Sequence, residues 1–240
     1  MTSFERDVLG IAALADPIRR RLYLHVCAQP GPVSRDQAAE AVGVARHRAK
    51  FHLDRLEAEG LLEVDYARPS GRSGPGAGRP AKRYRRANTE IAVSLPQRRY
   101  ELAGRLMADA IAESTRTGTA ITKVLDRVAS AHGRSLADAI YDLDAVPRTA
   151  YAAVELAMWL LSRLGYEPRL QGARVSLANC PFHALAHTHT ELVCQMNHAL
   201  IAGLVDALAP GQLRAQLEPV EGHCCVTVVA PEGAAVTGTR

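Results

Sequence analysis

A chain of 240 residues, 48% of them hydrophobic, is long enough for two small domains or for one with a long extension. Its net charge of +4 is too mild to mark a nucleic-acid protein by itself, and no apolar stretch or signal-peptide pattern points to a membrane or to export, so a cytoplasmic protein is expected. In that reducing compartment five cysteines suit metal or redox chemistry better than a disulfide framework.

Phe4 to Leu14 reads as a first helix, with Leu9, Ile11 and Leu14 apolar. Asp16 and Pro17 restart the chain, because Asp caps well and Pro is favoured at the first helical position. The helix from Pro17 to about Cys27 carries Ile18, Leu22 and Val26 on one face, and Cys27 reads as a small buried residue. Ser34 followed by Gln37 is a capping box, which predicts a short helix over Arg35 to Val42, stopped by Gly43. A second helix is predicted from about Ala45 to Glu59, ending at Gly60. Its Ala49, Leu53 and Leu56 recur at i, i+4 and i+7 on a buried face, leaving Arg46, His47, Arg48, Lys50 and Phe51 on the remaining surface. Two short helices joined by a glycine turn, the second basic at its start, describe a helix-turn-helix, and duplex DNA is the expected partner.

Leu61 to Ala67 alternates apolar and polar positions as a half-buried strand does. Pro69 to Pro80 is too rich in Gly and Pro to continue it, and Lys82 to Arg86 is predicted to return as the partner strand with Tyr84 inward. The result is a wing with a basic tip. Between Tyr66 and Thr89 stand seven basic residues (Arg68, Arg72, Arg79, Lys82, Arg83, Arg85 and Arg86) and no acid, a run suited to phosphate or minor-groove contact. The segments Ala12 to Leu22, Val44 to Leu56 and Gly60 to Leu62 resemble the ArsR-type winged helix-turn-helix regulators, and Gly78 to Tyr84 resembles the wing of one bacterial branch of them. The resemblance spans about the first third of the chain and implies a winged-helix fold that binds DNA. Arg46, His47, Arg48 and Lys50 are expected to address the major groove, with Arg72, Arg79 and Lys82 on the backbone or minor groove.

Ile91 to Leu95 extends the wing or connects it to the next helix. Pro96 opens that long predicted helix, Gln97 to about Thr115, with Tyr100, Leu102, Ala103, Leu106, Ala110 and Ile111 apolar. Such a helix beside a DNA-binding unit suits a dimer interface, and a two-fold protein matches a palindromic operator; internal packing is the alternative. Ala120 to Ala131 reads as a helix, Gly133 to Ser135 as a break and Leu136 to Leu143 as a further short helix. Val146 and Pro147 begin a helix running through Leu164. Its apolar face is Val154, Ala157, Leu161 and Leu164, widened by Leu156, Trp159 and Leu160. Glu167 to Gln171 and Ala173 to Leu177 form a hairpin around Gly172, with Pro168 restricting the first strand to an edge. Leu192 to Leu208 is helical again, and Leu213 to Val220 with Cys224 to Val229 make a second hairpin. The predicted fold class is α+β. A winged helix-turn-helix occupies residues 1–90 and a helical linker or dimerisation region 91–145. A sensor domain of helices on an antiparallel sheet occupies 146–230, and a flexible tail 231–240.

Cys180, Cys194, Cys224 and Cys225 fall in that C-terminal domain, near His183, His187, His189, His198 and His223. Thiolates converging from a turn, a helix and a strand suit a soft or borderline metal, although no CxxC pair is present and buried structural thiols would look similar. The runs Asn179 to Ala186, Glu191 to Cys194 and Gly222 to Val228 resemble the C-terminal half of the SufR-type branch, regulators that hold an iron–sulfur cluster on three cysteines and control iron–sulfur assembly operons. That resemblance implies Cys180 and Cys194 as the first two ligands and the Cys224–Cys225 pair as the source of the third. Cys224 is favoured, as it would share a strand face with Val226 and Val228. His183, three residues after Cys180, is a candidate fourth ligand. The implied cofactor is a 4Fe–4S or 2Fe–2S cluster, while three Cys and one His also suit zinc. The expectation is a homodimeric DNA-binding repressor under cluster control and not an enzyme. The rivals are a zinc, thiol-redox or small-molecule sensor, and a cysteine-dependent enzyme built on Cys180 or Cys194 with His183.

Overall fold

Asp16 marks where one helix gives way to the next: its carboxylate accepts from the backbone N–H groups of Ile18 and Arg19, both at 2.9 Å, and Pro17 takes the first helical position. The computed structural model describes residues 3–67, 80–141, 149–220 and 222–230, and the chain divides into two compact units, Met1–Val93 and Ser94–Arg240. The first unit holds α1 (Ser3–Ala13), α2 (Pro17–Ala28), α3 (Arg35–Val42) and α4 (Arg46–Ala58), then a hairpin of β2 (Leu62–Ala67) and β3 (Ala81–Arg86). The capping box forms as expected: Ser34 Oγ accepts from Gln37 N at 3.2 Å and Ser34 N donates to Gln37 Oε1 at 2.9 Å. Gly43 then turns the chain at φ +68°, a left-handed conformation that favours glycine.

A two-residue strand, β1 (Val33–Ser34), pairs with β3 and completes an antiparallel sheet in the order β1–β3–β2. So short a strand has no period to read in the sequence. Tyr84 sits opposite both Val33 and Val64 in the register and packs inward with Leu22, Val26, Ala49, Leu53 and Leu56. This core fastens the hairpin to the helix pair.

The second unit runs α5 (Tyr100–Thr117), α6 (Ile121–Tyr141), α7 (Ala150–Arg163), β4 (Pro168–Gln171), β5 (Arg174–Leu177), α8 (His183–Thr188), α9 (Thr190–Leu208), β6 (Arg214–Leu217) and β7 (Val226–Val229). Its sheet is antiparallel in the order β4–β5–β7–β6, with Pro168 on the edge strand, where its missing N–H breaks no ladder. An N-terminal helix-turn-helix in one unit and helices on an antiparallel sheet in the other agree with the predicted α+β class. One core lies among α5, α6 and α9, around Leu106, Val124, Met196 and Leu200. The other lies among α7, α9 and the sheet, around Leu161, Leu177, Ile201 and Val228. The helices expected to form a linker or dimerisation region thus pack inside this unit.

Three local readings are corrected. The break expected at Gly133 is absent, and α6 runs straight through it. A Cβ at Gly133 would lie 2.0 Å from the Leu200 carbonyl oxygen of α9, and one at Gly203 would lie 2.1 Å from the Ser130 oxygen of α6. These glycines let two helix backbones approach; neither ends a helix. Helix α5 begins at Tyr100, three residues later than expected, because Gln97, Arg98 and Arg99 are engaged with the loop around Cys180. Trp159, expected to widen the apolar face of α7, is 49% exposed and lies 4.8 Å beneath the Arg163 guanidinium. The expected start of that helix at Val146 and Pro147 lies outside the described residues, as does the tail 231–240; the observed α7 is capped by Thr149 Oγ1, which accepts from Ala152 N at 3.2 Å. Among the described residues no helix is long and apolar enough to cross a membrane.

Candidate functional site

Helix α4 buries Ala49, His52, Leu53 and Leu56, so Arg46, His47, Arg48, Lys50 and Phe51 are left on its outer surface. Arg46 reaches Asp36 of α3 at 2.5 Å and Lys50 reaches Asp54 one turn on at 2.9 Å. Arg48 and His47 make no ion pair among the described residues. His52 has no place in the sequence reading. It is buried beneath this surface with Nδ1 3.9 Å from the Asp16 carboxylate, and burial holds its pKa below the ordinary value.

Among the described residues, the hairpin's cations are more fully paired than the sequence run implies. Arg68, Arg72 and Arg79 lie outside the described residues. Of the others, Arg83 forms a bidentate pair with Asp65, at 2.9 and 2.7 Å, and Arg85 bonds Glu63 at 3.2 and 3.0 Å. Both pairs face each other directly across the β2–β3 register. Lys82 donates to Asp54 Oδ1 at 2.9 Å and to Glu57, both on α4, and its ammonium lies 5.1 Å from the Tyr84 ring centroid. The neutralising acids sit on β2 and α4, outside the Tyr66–Thr89 stretch that carries the basic residues. Burial would raise the Asp54 carboxyl, but bonds from Lys82, Lys50 and Tyr84 outweigh it and hold its pKa at about 2.

In the second unit the loop before α8 places Cys180. Arg98 Nη1 donates to Asn179 Oδ1 at 2.5 Å and to the Cys180 carbonyl at 2.9 Å. Asn179 Nδ2 donates to the Gln97 and Gly165 carbonyls at 3.1 and 2.6 Å, and Arg99 N donates to Pro181 O at 3.0 Å. Cys194 comes from the start of α9, and Cys224 and Cys225 from the segment before β7. The four thiols line one cavity of about 400 Å³ together with His183, His187 and His223. The thiols form a chain of interacting neighbours, Cys180 with Cys224, Cys224 with Cys225 and Cys225 with Cys194. Strand β7 begins at Val226, and Cys224 and Cys225 are both buried, so the strand-face argument does not separate them. His189 lines a different cavity, His198 Nε2 lies 3.3 Å from the Ala215 carbonyl oxygen, and Cys27 belongs to the other unit.

Two buried residues that the sequence reading missed support the cluster of thiols. Asn197 Nδ2 donates to Cys224 Sγ at 3.2 Å, and Asn197 Oδ1 accepts from the Tyr166 hydroxyl. An amide inside the apolar helix α9 was the available signal, since buried polar groups are kept where they have partners. The bond with Cys224 and burial push the Cys180 thiol well up, and burial raises Cys194. A bond with Cys180 lowers Cys224, but Cys225 and burial raise it more, to about 11. Thiols so raised hold their protons near neutral pH, and thiolates here would need a nearby positive charge such as a bound metal cation would supply. Sulfur donors from a loop, a helix and a strand-leading segment suit soft metals and iron–sulfur clusters. Among the described residues, no group of three or more His, Cys, Asp or Glu side chains is arranged to hold a single metal ion.

Residues 14–65 match the family model of a helix-turn-helix domain. The matched segment runs from the end of α1 into β2, the elements that present the exposed basic side chains of α4, and it supports a DNA-binding transcriptional regulator. No curated protein and no solved structure matches the chain.

Proposed function

We propose that the protein is a homodimeric, cytoplasmic transcriptional repressor that binds a palindromic operator and is controlled by an iron–sulfur cluster in its second unit. One observation carries the sensor half of this reading: Cys180, Cys194, Cys224 and Cys225, from three separate segments, line a single cavity. Cys180, Cys194 and Cys224 are the cluster ligands in this reading, with His183 and Cys225 beside them. When bound, the cluster supplies a one-electron redox centre. The chain's own part is positioning: Arg98 and Asn179 hold the Cys180 loop, and Asn197 holds Cys224. On the DNA side, Arg46, His47, Arg48 and Lys50 address the major groove and Arg72 and Arg79 the backbone or minor groove.

The test is anaerobic purification with iron, sulfide and zinc analysis and a visible spectrum. Iron with sulfide and broad visible absorbance is the expected result; zinc alone, or no metal, overturns the cluster. Cys194→Ser is expected to abolish loading while the helix-turn-helix stays folded, and unchanged metal content removes Cys194 from the ligand set.

A thiol-redox sensor is the second reading, favoured by four neighbouring thiols that line one cavity. Oxidation of one pair by peroxide forms one S–S bond, breaks the O–O bond and yields two waters, with the thiol protons and the electron pair passing to the peroxide oxygens. Loss of two hydrogens per pair in the intact mass, from protein that never carried iron, separates this reading from the first.

A further inference from the structure

A carboxylate on the DNA-facing helix of a regulator works against phosphate binding, so Asp54 calls for a structural explanation. It lies on α4 and accepts three hydrogen bonds. Lys50 Nζ, from its own helix, donates at 2.9 Å; from β3, Lys82 Nζ donates at 2.9 Å and the Tyr84 hydroxyl at 2.8 Å. Lys82 and Tyr84 are alternate residues on one face of β3, so a single carboxylate takes two neighbouring side chains of that face. Tyr84 is only 1% exposed, and a buried hydroxyl needs a partner; Asp54 provides it. Lys82 adds a bond to Glu57, one turn further along α4.

Within this joint two cations meet two carboxylates, Lys50 and Lys82 against Asp54 and Glu57. The Lys82 side chain is 29% exposed with its ammonium held by two carboxylates, an unsuitable state for a free phosphate contact. Asp54, Lys82 and Tyr84 also line a cleft of about 490 Å³ with Arg35, Arg46 and Lys50, so the joint lies beside side chains expected at the major groove.

We propose that Asp54 is a positioning residue that fixes the hairpin to the recognition helix, and that Lys82 belongs to this joint and not to the set of DNA contacts. The proposal rests on the helix-turn-helix reading of the first unit. It makes sequence discrimination depend on a residue that touches no base, because the hairpin and α4 read DNA together only when their relative placement is held.

The probe is a duplex selected by the wild-type chain from a random pool, compared with a scrambled duplex of equal length. Asp54→Asn is expected to lower the ratio of specific to non-specific affinity about tenfold, the scale of one charge-assisted hydrogen bond, although it removes a negative charge. Tyr84→Phe is expected to lower the same ratio with no change in charge. Lys82→Gln is expected to leave the salt dependence of binding unchanged. An Asp54→Asn chain that binds both duplexes more tightly, with its ratio intact, overturns the joint in favour of simple charge. A Lys82→Gln chain whose log–log salt slope falls by about 0.9 returns Lys82 to phosphate contact. Thermal unfolding checks each fold; should Asp54→Asn fail to fold, Tyr84→Phe decides alone, and an unchanged ratio there overturns the joint. A wild-type chain that selects no duplex overturns the DNA-binding reading instead.

Discussion

At the scale of single residues, Asn197 carries the most consequence for its size. Its amide is fully buried between the Tyr166 hydroxyl and the Cys224 sulfur, and both neighbours are buried with it. Replacing it with Leu strands a buried hydroxyl. Asn197→Leu is therefore expected to destabilise the second unit by about 1–3 kcal/mol, and adding Tyr166→Phe is expected to recover part of the loss, as a urea titration of both variants would read. Arg48 presents the opposite case: it is exposed and makes no ion pair among the described residues, so little in the fold depends on it. Arg48→Ala is expected to leave stability unchanged and to weaken operator binding by about 1–3 kcal/mol at particular base positions. A loss uniform across sequences would assign Arg48 to phosphate.

At the scale of elements, two contacts decide how helices and strands are held. The close approach of α6 and α9 depends on Gly133 and Gly203, where a methyl group would meet the opposite backbone at 2.0 and 2.1 Å. Backbone cannot rotate away as a side-chain tip can. Gly133→Ala is expected to cost about 1–3 kcal/mol or more in the second unit, even though Ala is the better helix former at an open site. Trp159, the chain's one tryptophan, lies in this unit and reports its unfolding. The other contact is the α4–β3 joint. Asp54 has a folded-state pKa of about 2, below the ordinary 3.8, in a group made with Lys50, Lys82, Tyr84 and Glu57. Its ionised form therefore stabilises the first unit above about pH 4, and that contribution is lost as the pH falls toward 2. Asp54→Asn is expected to flatten this acid limb in a series of thermal melts; an unchanged limb would show that the carboxylate does not stabilise the unit.

At the scale of the whole molecule, the proposed dimer has a simple test. A native mass of twice 25.8 kDa by light scattering supports the two-fold reading, and a mass of 25.8 kDa removes it. The buried face of α5, with Leu102, Leu106 and Ala110, is committed to packing inside its own unit. Any interface that includes α5 must therefore use its outer surface, where Ile111 is exposed.

Much of the first unit was legible in the sequence because its signals are local. A capping Ser with Gln three residues on, an Asp–Pro helix start, and apolar residues at i, i+4 and i+7 each act through neighbours a few residues apart, and the chain at Arg35–Val42 and Arg46–Ala58 obeys them closely. The gathering of the C-terminal cysteines was legible as types and order, not as contacts. What the sequence could not carry were effects whose partner lies far along the chain. Gly133 reads as a break until Leu200 stands against it; Lys82, Arg83 and Arg85 read as free charge until Asp54, Glu57, Asp65 and Glu63 arrive from α4 and β2. Local hydrogen bonds and periodicity determined the elements. Backbone proximity, charge pairing and the burial of polar groups were decided by tertiary structure, because each depends on which distant atom occupies the adjacent space.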